Sequence, residues 1–60
     1  MTVKYENVYI EELLPDAEKF MLDNPTIRRM AWELEDGKVI ATRDKKTGKI
    51  KIKVIFKKRE

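Results

Sequence analysis

Sixty residues, 42% hydrophobic and 42% charged with a formal net charge of +3, make at most one small domain, in which only about 60% of the unfolded chain's surface becomes buried. The chain has no Cys and no His. That excludes disulfides, thiolate metal sites, the usual zinc ligands and the usual neutral-pH acid/base, so no catalytic residue, metal or other cofactor is expected, and a domain this small leaves little room for a small-molecule substrate.

No apolar run approaches membrane-spanning length, and the N-terminus lacks the basic-then-apolar layout of a signal peptide, which predicts a soluble cytoplasmic protein with no membrane partner. The modest net charge conceals a strong asymmetry. Residues 1–24 carry two Lys against six acids, residues 25–36 two Arg against three acids, and residues 37–60 ten Lys or Arg against two acids. A basic block of this kind steers polyanions, and it equally suits the solvated face of a sheet.

In chain order, "TVKYENVYI" is rich in β-branched and aromatic residues and predicts an extended segment or short strand. "EELLPDAEKFML" changes period: Leu13, Leu14, Ala17, Phe20 and Met21 recur at helical spacing. Pro15 suits a first helical turn and disfavours helical geometry at Leu14, so the helix is expected from Pro15 to about Leu22. Asn24 and Pro25 then have the chemistry of a helix start. Ile27, Met30, Ala31 and Leu34 fall on one stripe, and Asp36-Gly37 reads as its end, which predicts a second helix over residues 25–35. Beyond Gly37 the period becomes two. "KVIATR" and "KIKIKVIFK" flank the Gly-containing loop "DKKTG", and the second arm sets Ile50, Ile52, Val54 and Phe56 against a largely Lys face, as in a β-hairpin. The charged end "KKRE" reads as frayed.

Helix, tight turn, second helix, hairpin is an order that resembles the winged helix-turn-helix DNA-binding domains of MarR-like and GntR-like regulators. The residues carrying the resemblance are Ala17, Phe20 and Leu22 in the first helix, then Thr26, Ile27, Arg29, Met30, Leu34, Glu35, Gly37, Val39 and Ile40, across roughly residues 10–57. It implies a small α+β fold in a shortened form, a single domain with the helix-turn-helix at about 15–36 and the wing at about 38–57. It also implies a homodimer that binds double-stranded DNA as a small transcriptional regulator or accessory factor. Such a motif lays its second helix in the major groove and its wing on the backbone. Thr26, Arg28, Arg29 and Trp32 are then the groove-facing set, and Arg43, Lys45, Lys46 and Lys49 the wing contacts.

Each of these residues also has a plainer reading. Arg28 and Arg29 are equally solvated charges or helix partners of Glu33, Trp32 is more often a core or interface residue than a DNA contact, and the alternating Lys more often form a solvent face that guards an edge strand. Glu11-Glu12 and Glu35-Asp36 have no nucleophile or metal-ligand partner beside them. Met30, Trp32 and Leu34 also alternate as one face of a strand. That period gives a competing β-α-β-β-β protein-interaction module. A third reading is a single-strand binder whose basic sheet stacks bases on Tyr5, Tyr9, Trp32 or Phe56.

Overall fold

The computed structural model of the chain describes residues 2–57. Five elements follow in order: β1 (Thr2–Lys4), α1 (Ile10–Asp23), β2 (Arg29–Leu34), β3 (Gly37–Arg43) and β4 (Ile50–Phe56). They build one four-stranded sheet in the order β1-β2-β3-β4, with β1 parallel to β2 and the remaining pairs antiparallel. The helix connects the parallel pair and packs on one face of the sheet. The predicted winged helix-turn-helix is therefore incorrect: one helix and a mixed sheet replace two helices and a wing.

The error lies in residues 25–35. Asn24 does not start a helix. It ends α1, and its side-chain amide donates to the Phe20 carbonyl at 2.8 Å. Residues 29–34 obey period two rather than 3.6, with Met30, Trp32 and Leu34 buried and Arg29 and Glu33 exposed. The reason is Trp32. On the helical stripe it falls to the outside, whereas in β2 it faces α1, opposite Val3 of β1 and Val39 of β3, with Phe20 edge-on to its ring at 5.7 Å. Burying an indole removes about 150–250 Å² from water, or roughly 4–6 kcal/mol at 25 cal/mol per Å². That exceeds any difference in local propensity over six residues.

Glu35 and Asp36 form the two-residue turn of a hairpin in which Leu34 is opposite Gly37, so Asp36-Gly37 does not cap a helix. Gly37 has φ +152°, and a Cβ there would run into the Ile55 carbonyl oxygen and approach the Phe56 Cα to 2.9 Å. Only glycine lets the turn lie this close to β4.

The helix begins earlier than its Pro suggests and contains Pro15 in its second turn. Two interactions secure the added first turn. The Asp36 carboxylate accepts the Ile10 amide at 3.0 Å, capping α1 from across the fold, and Glu12 reaches back to the Tyr9 amide at 3.4 Å. Pro15 itself lies on the exposed side of the helix, and its ring leaves the helix short of one interior hydrogen bond. The buried stripe Ile10, Leu13, Ala17, Met21 packs on Met30, Trp32, Leu34, Val39 and Ala41, the single core.

Two stability measurements follow. Gly37→Ala is expected to lower the unfolding free energy by about 2–4 kcal/mol in urea titration, because it combines positive-φ strain with overpacking against β4 backbone. Pro15→Ala should raise it by about 1–3 kcal/mol, since it restores an interior helical hydrogen bond at an exposed position. Destabilisation by Pro15→Ala would show that α1 is not continuous through that turn.

Candidate nucleic-acid interface

Because α1 covers one face of the sheet, the other face is open. The strand registers set its side chains in three rows: Arg29, Thr42, Lys51; Thr2, Ala31, Ile40, Lys53; and Lys4, Glu33, Lys38, Ile55. This face thus carries five cations against one carboxylate. The helix on the other side carries Glu11, Glu12, Asp16, Glu18 and Asp23 against one Lys, Lys19. Charge is sorted by layer as well as along the chain. Within β4, Lys51 and Lys53 are about 6.7 Å apart on one side of the strand, while Glu33 lies between Lys4 and Lys38 and offsets part of their repulsion. Beside the last row a groove of about 480 Å³ sets Lys4, Lys38 and Lys57 against Glu6, Glu33 and Glu35, with the rings of Tyr5 and Phe56 in its lining.

The residues expected to meet DNA are scattered rather than gathered on one element. Thr26, Arg28, Arg43 and Lys45 do meet, around a shallow groove of about 400 Å³ where the α1–β2 connection lies against the β3–β4 loop. Arg29 opens β2 on the open face, next to that groove. Lys46 is exposed in the loop between β3 and β4, and Lys49 turns towards the helix side, beside Glu18 and Leu22. Trp32 is 3% exposed, so the folded chain cannot offer it to a ligand.

Arg43 also has a structural task. Its guanidinium donates to the carbonyls of Asn24 and Ile27, each at 3.2 Å, and to that of Met21. It therefore satisfies the C-terminal end of α1 and pins the following connection to β3. Five donors on a planar fork make Arg the side chain suited to three carbonyls at once. Among the described residues, no buried side-chain nitrogen or oxygen is left without a partner.

Sequence reasoning overlooked Lys4 and Lys38 as members of a basic surface. Their signal is the cross-strand register, which no local pattern contains. The alternation of residues 49–57 did separate Lys51 and Lys53 from the Ile row. The β3–β4 loop holds its shape through Asp44, whose Oδ1 accepts the Lys46 amide at 2.7 Å and the Thr47 amide at 3.3 Å. Those two donors hold the Asp44 carboxyl below its ordinary value.

Among the described residues, no group of three or more His, Cys, Asp or Glu is placed to hold a metal ion, and no helix is long and apolar enough to cross a membrane. Comparison with protein-family models, with characterised proteins and with solved structures finds no match to this chain.

Two outcomes are expected here. Arg43→Ala should destabilise the fold by about 1–3 kcal/mol because it strips donors from part-buried carbonyls, and Arg43→Lys should recover only part of that loss. An effect within about 0.5 kcal/mol, as for an ordinary surface site, would mean that the pin does not form. For Asp44 the folded pKa is the lower one. Its contribution is present above the unfolded value and lost as pH falls through the folded value. In an NMR titration the Asp44 carboxyl should accordingly show a midpoint below 3.8, with the Lys46 and Thr47 amides shifting at the same pH.

Proposed function

We propose that this is a cytoplasmic protein that binds double-stranded DNA through the open face of its sheet, by contacts to the phosphate backbone that carry little sequence information. The observation that supports this reading is the segregation of charge: five cations on the uncovered face, with the helix acidic on the far side. Such a molecule is oriented by the field of a polyanion before it touches it. Lys4, Arg29, Lys38, Lys51 and Lys53 are the contacts, with Arg28 and Lys45 extending the surface past the end of β2. Lys and Arg on a pleated surface reach phosphate oxygens without entering a groove.

Duplex is favoured over single strands by the placement of the aromatics. Stacking on bases requires exposed rings among the cations. Trp32 is in the core, and Tyr5 and Phe56 meet in the groove at one end of the open face, away from Arg29, Lys51 and Lys53, so no ring stands among those cations. Base-specific reading by a helix has no place in this account, since the one helix is acidic and lies on the other side of the sheet.

Binding of unrelated duplexes should weaken steeply with salt, with a log–log slope of about −0.9 per phosphate neutralised. Lys38→Ala with Lys53→Ala should lower affinity for all duplexes by similar factors and reduce the slope by up to about 2 units. Lys19→Ala on the acidic helix should leave binding unchanged or slightly stronger. A flat salt response by folded protein, or equal losses from Lys19 and from the sheet lysines, would remove the open face as the interface.

A further inference from the structure

The sheet ends on one side in β1, three residues long, and on the other in β4, seven residues long. No strand pairs with the outer edge of β4 among the described residues. Which of its main-chain groups point outward follows from the bonds at the two ends of the β3–β4 ladder. The Asp44 amide donates to the Lys49 carbonyl at 2.9 Å, and the Lys57 amide to the Asp36 carbonyl at 2.8 Å. In an antiparallel ladder the direction alternates residue by residue. Lys51, Lys53 and Ile55 therefore turn their amides and carbonyls to β3, and Ile50, Ile52, Val54 and Phe56 turn theirs outward.

Those four outward residues also form the apolar row of the strand. Their side chains lie on the helix side, where α1 covers them only in part: Ile50, Ile52 and Val54 are half-buried against the core and Phe56 is 70% exposed. Leu22, 63% exposed at the end of the helix, borders a groove that includes Ile50 and Ile52. On the opposite side of the same edge are Lys51 and Lys53. A strand laid along β4 meets free hydrogen-bonding groups in its plane, an apolar row on one side and ammonium groups on the other.

We propose that the outer edge of β4 is a docking site for an extended segment of a partner protein in which apolar residues alternate with Asp or Glu. The apolar residues of that segment continue the Ile50–Phe56 row beside Leu22, and its carboxylates stand next to Lys51 and Lys53, so one alternating pattern satisfies both sides at once. A second copy of this chain fits less well. Antiparallel self-pairing opposes residues of equal parity. Centred on Ile52 it sets Lys51 against Lys53, centred on Lys53 it sets that residue against itself, and centred on Val54 it sets Lys51 against Lys57. Directly opposed like charges disfavour each register. The proposal shares Lys51 and Lys53 with the DNA-binding reading but does not require it, since the main-chain edge and the apolar row lie outside the open face.

The test uses two capped eight-residue peptides, one alternating Val with Glu and the other Val with Lys, and amide hydrogen exchange of the whole protein read by NMR. With the Val-Glu peptide at about ten times its Kd, exchange at Ile50, Ile52, Val54 and Phe56 is expected to slow roughly tenfold, since protection follows 1 + [L]/Kd. The amides of Lys51, Lys53 and Ile55, already bonded to β3, should change little, and the Val-Lys peptide should protect none of the seven. The double change Lys51→Glu, Lys53→Glu should reverse the peptide preference while leaving exchange in β2 and β3 as in the parent. Equal binding of both peptides, or protection elsewhere on the molecule, would overturn the proposal. So would protection of the four outward amides without peptide that grows with protein concentration, because a second copy would then fill the edge.

Discussion

A single helix cannot cover a four-stranded sheet, and most of what distinguishes this protein follows from that mismatch. An α-helix with its side chains is about 10–12 Å across. Four strands spaced at 4.7–4.9 Å span about 14 Å between the outer axes and more with their side chains. Beneath α1 the inward residues of β2 and β3, Met30, Trp32, Leu34, Val39 and Ala41, are all buried. The inward row of β4 is left half-covered and the reverse face of the sheet not covered at all. Among the described residues no second layer completes the enclosure. The uncovered regions therefore have to be made soluble by charge, and Lys is the residue used.

Legibility in the sequence follows the range of the interactions involved. The β3–β4 hairpin was legible because its signals are local: strict alternation in residues 50–56 and a Gly-containing loop. The first helix was legible in its apolar stripe and misread at its start, since the group that caps it, the Asp36 carboxylate, lies 26 residues further along the chain. Residues 29–34 satisfied two periods at once. What selects between them is whether Trp32 has a pocket to fill, and that pocket exists only after β1, β3 and Phe20 have come together. The resemblance to a helix-turn-helix drew on apolar positions that both periods share, which is why the same residues could be read as a recognition helix.

The basic surface was legible in amount and not in arrangement. Counting showed that the last third of the chain is cationic, but Lys4, from the acidic first third, joins the same face through the parallel pairing of β1 with β2. In the other direction, Arg43 belongs to the basic block by position yet has its guanidinium tied to three carbonyls at the helix end. Charge along a chain and charge on a surface are different quantities. The register of the sheet converts one into the other.

The two polar ties at the ends of α1 both come from the borders of one strand. Asp36, just before β3, holds the first residue of the helix, and Arg43, at the end of β3, holds its last turn. Fourteen helical residues at 1.5 Å make about 21 Å, and the seven steps from Asp36 to Arg43 at 3.3–3.4 Å make about 23 Å. The strand is thus a ruler for the helix, marked at both ends. Neither element can gain or lose a turn or a residue pair alone without breaking a mark, so their lengths can drift in evolution only as a pair, while the loop between β3 and β4, outside the ruler, is free to vary.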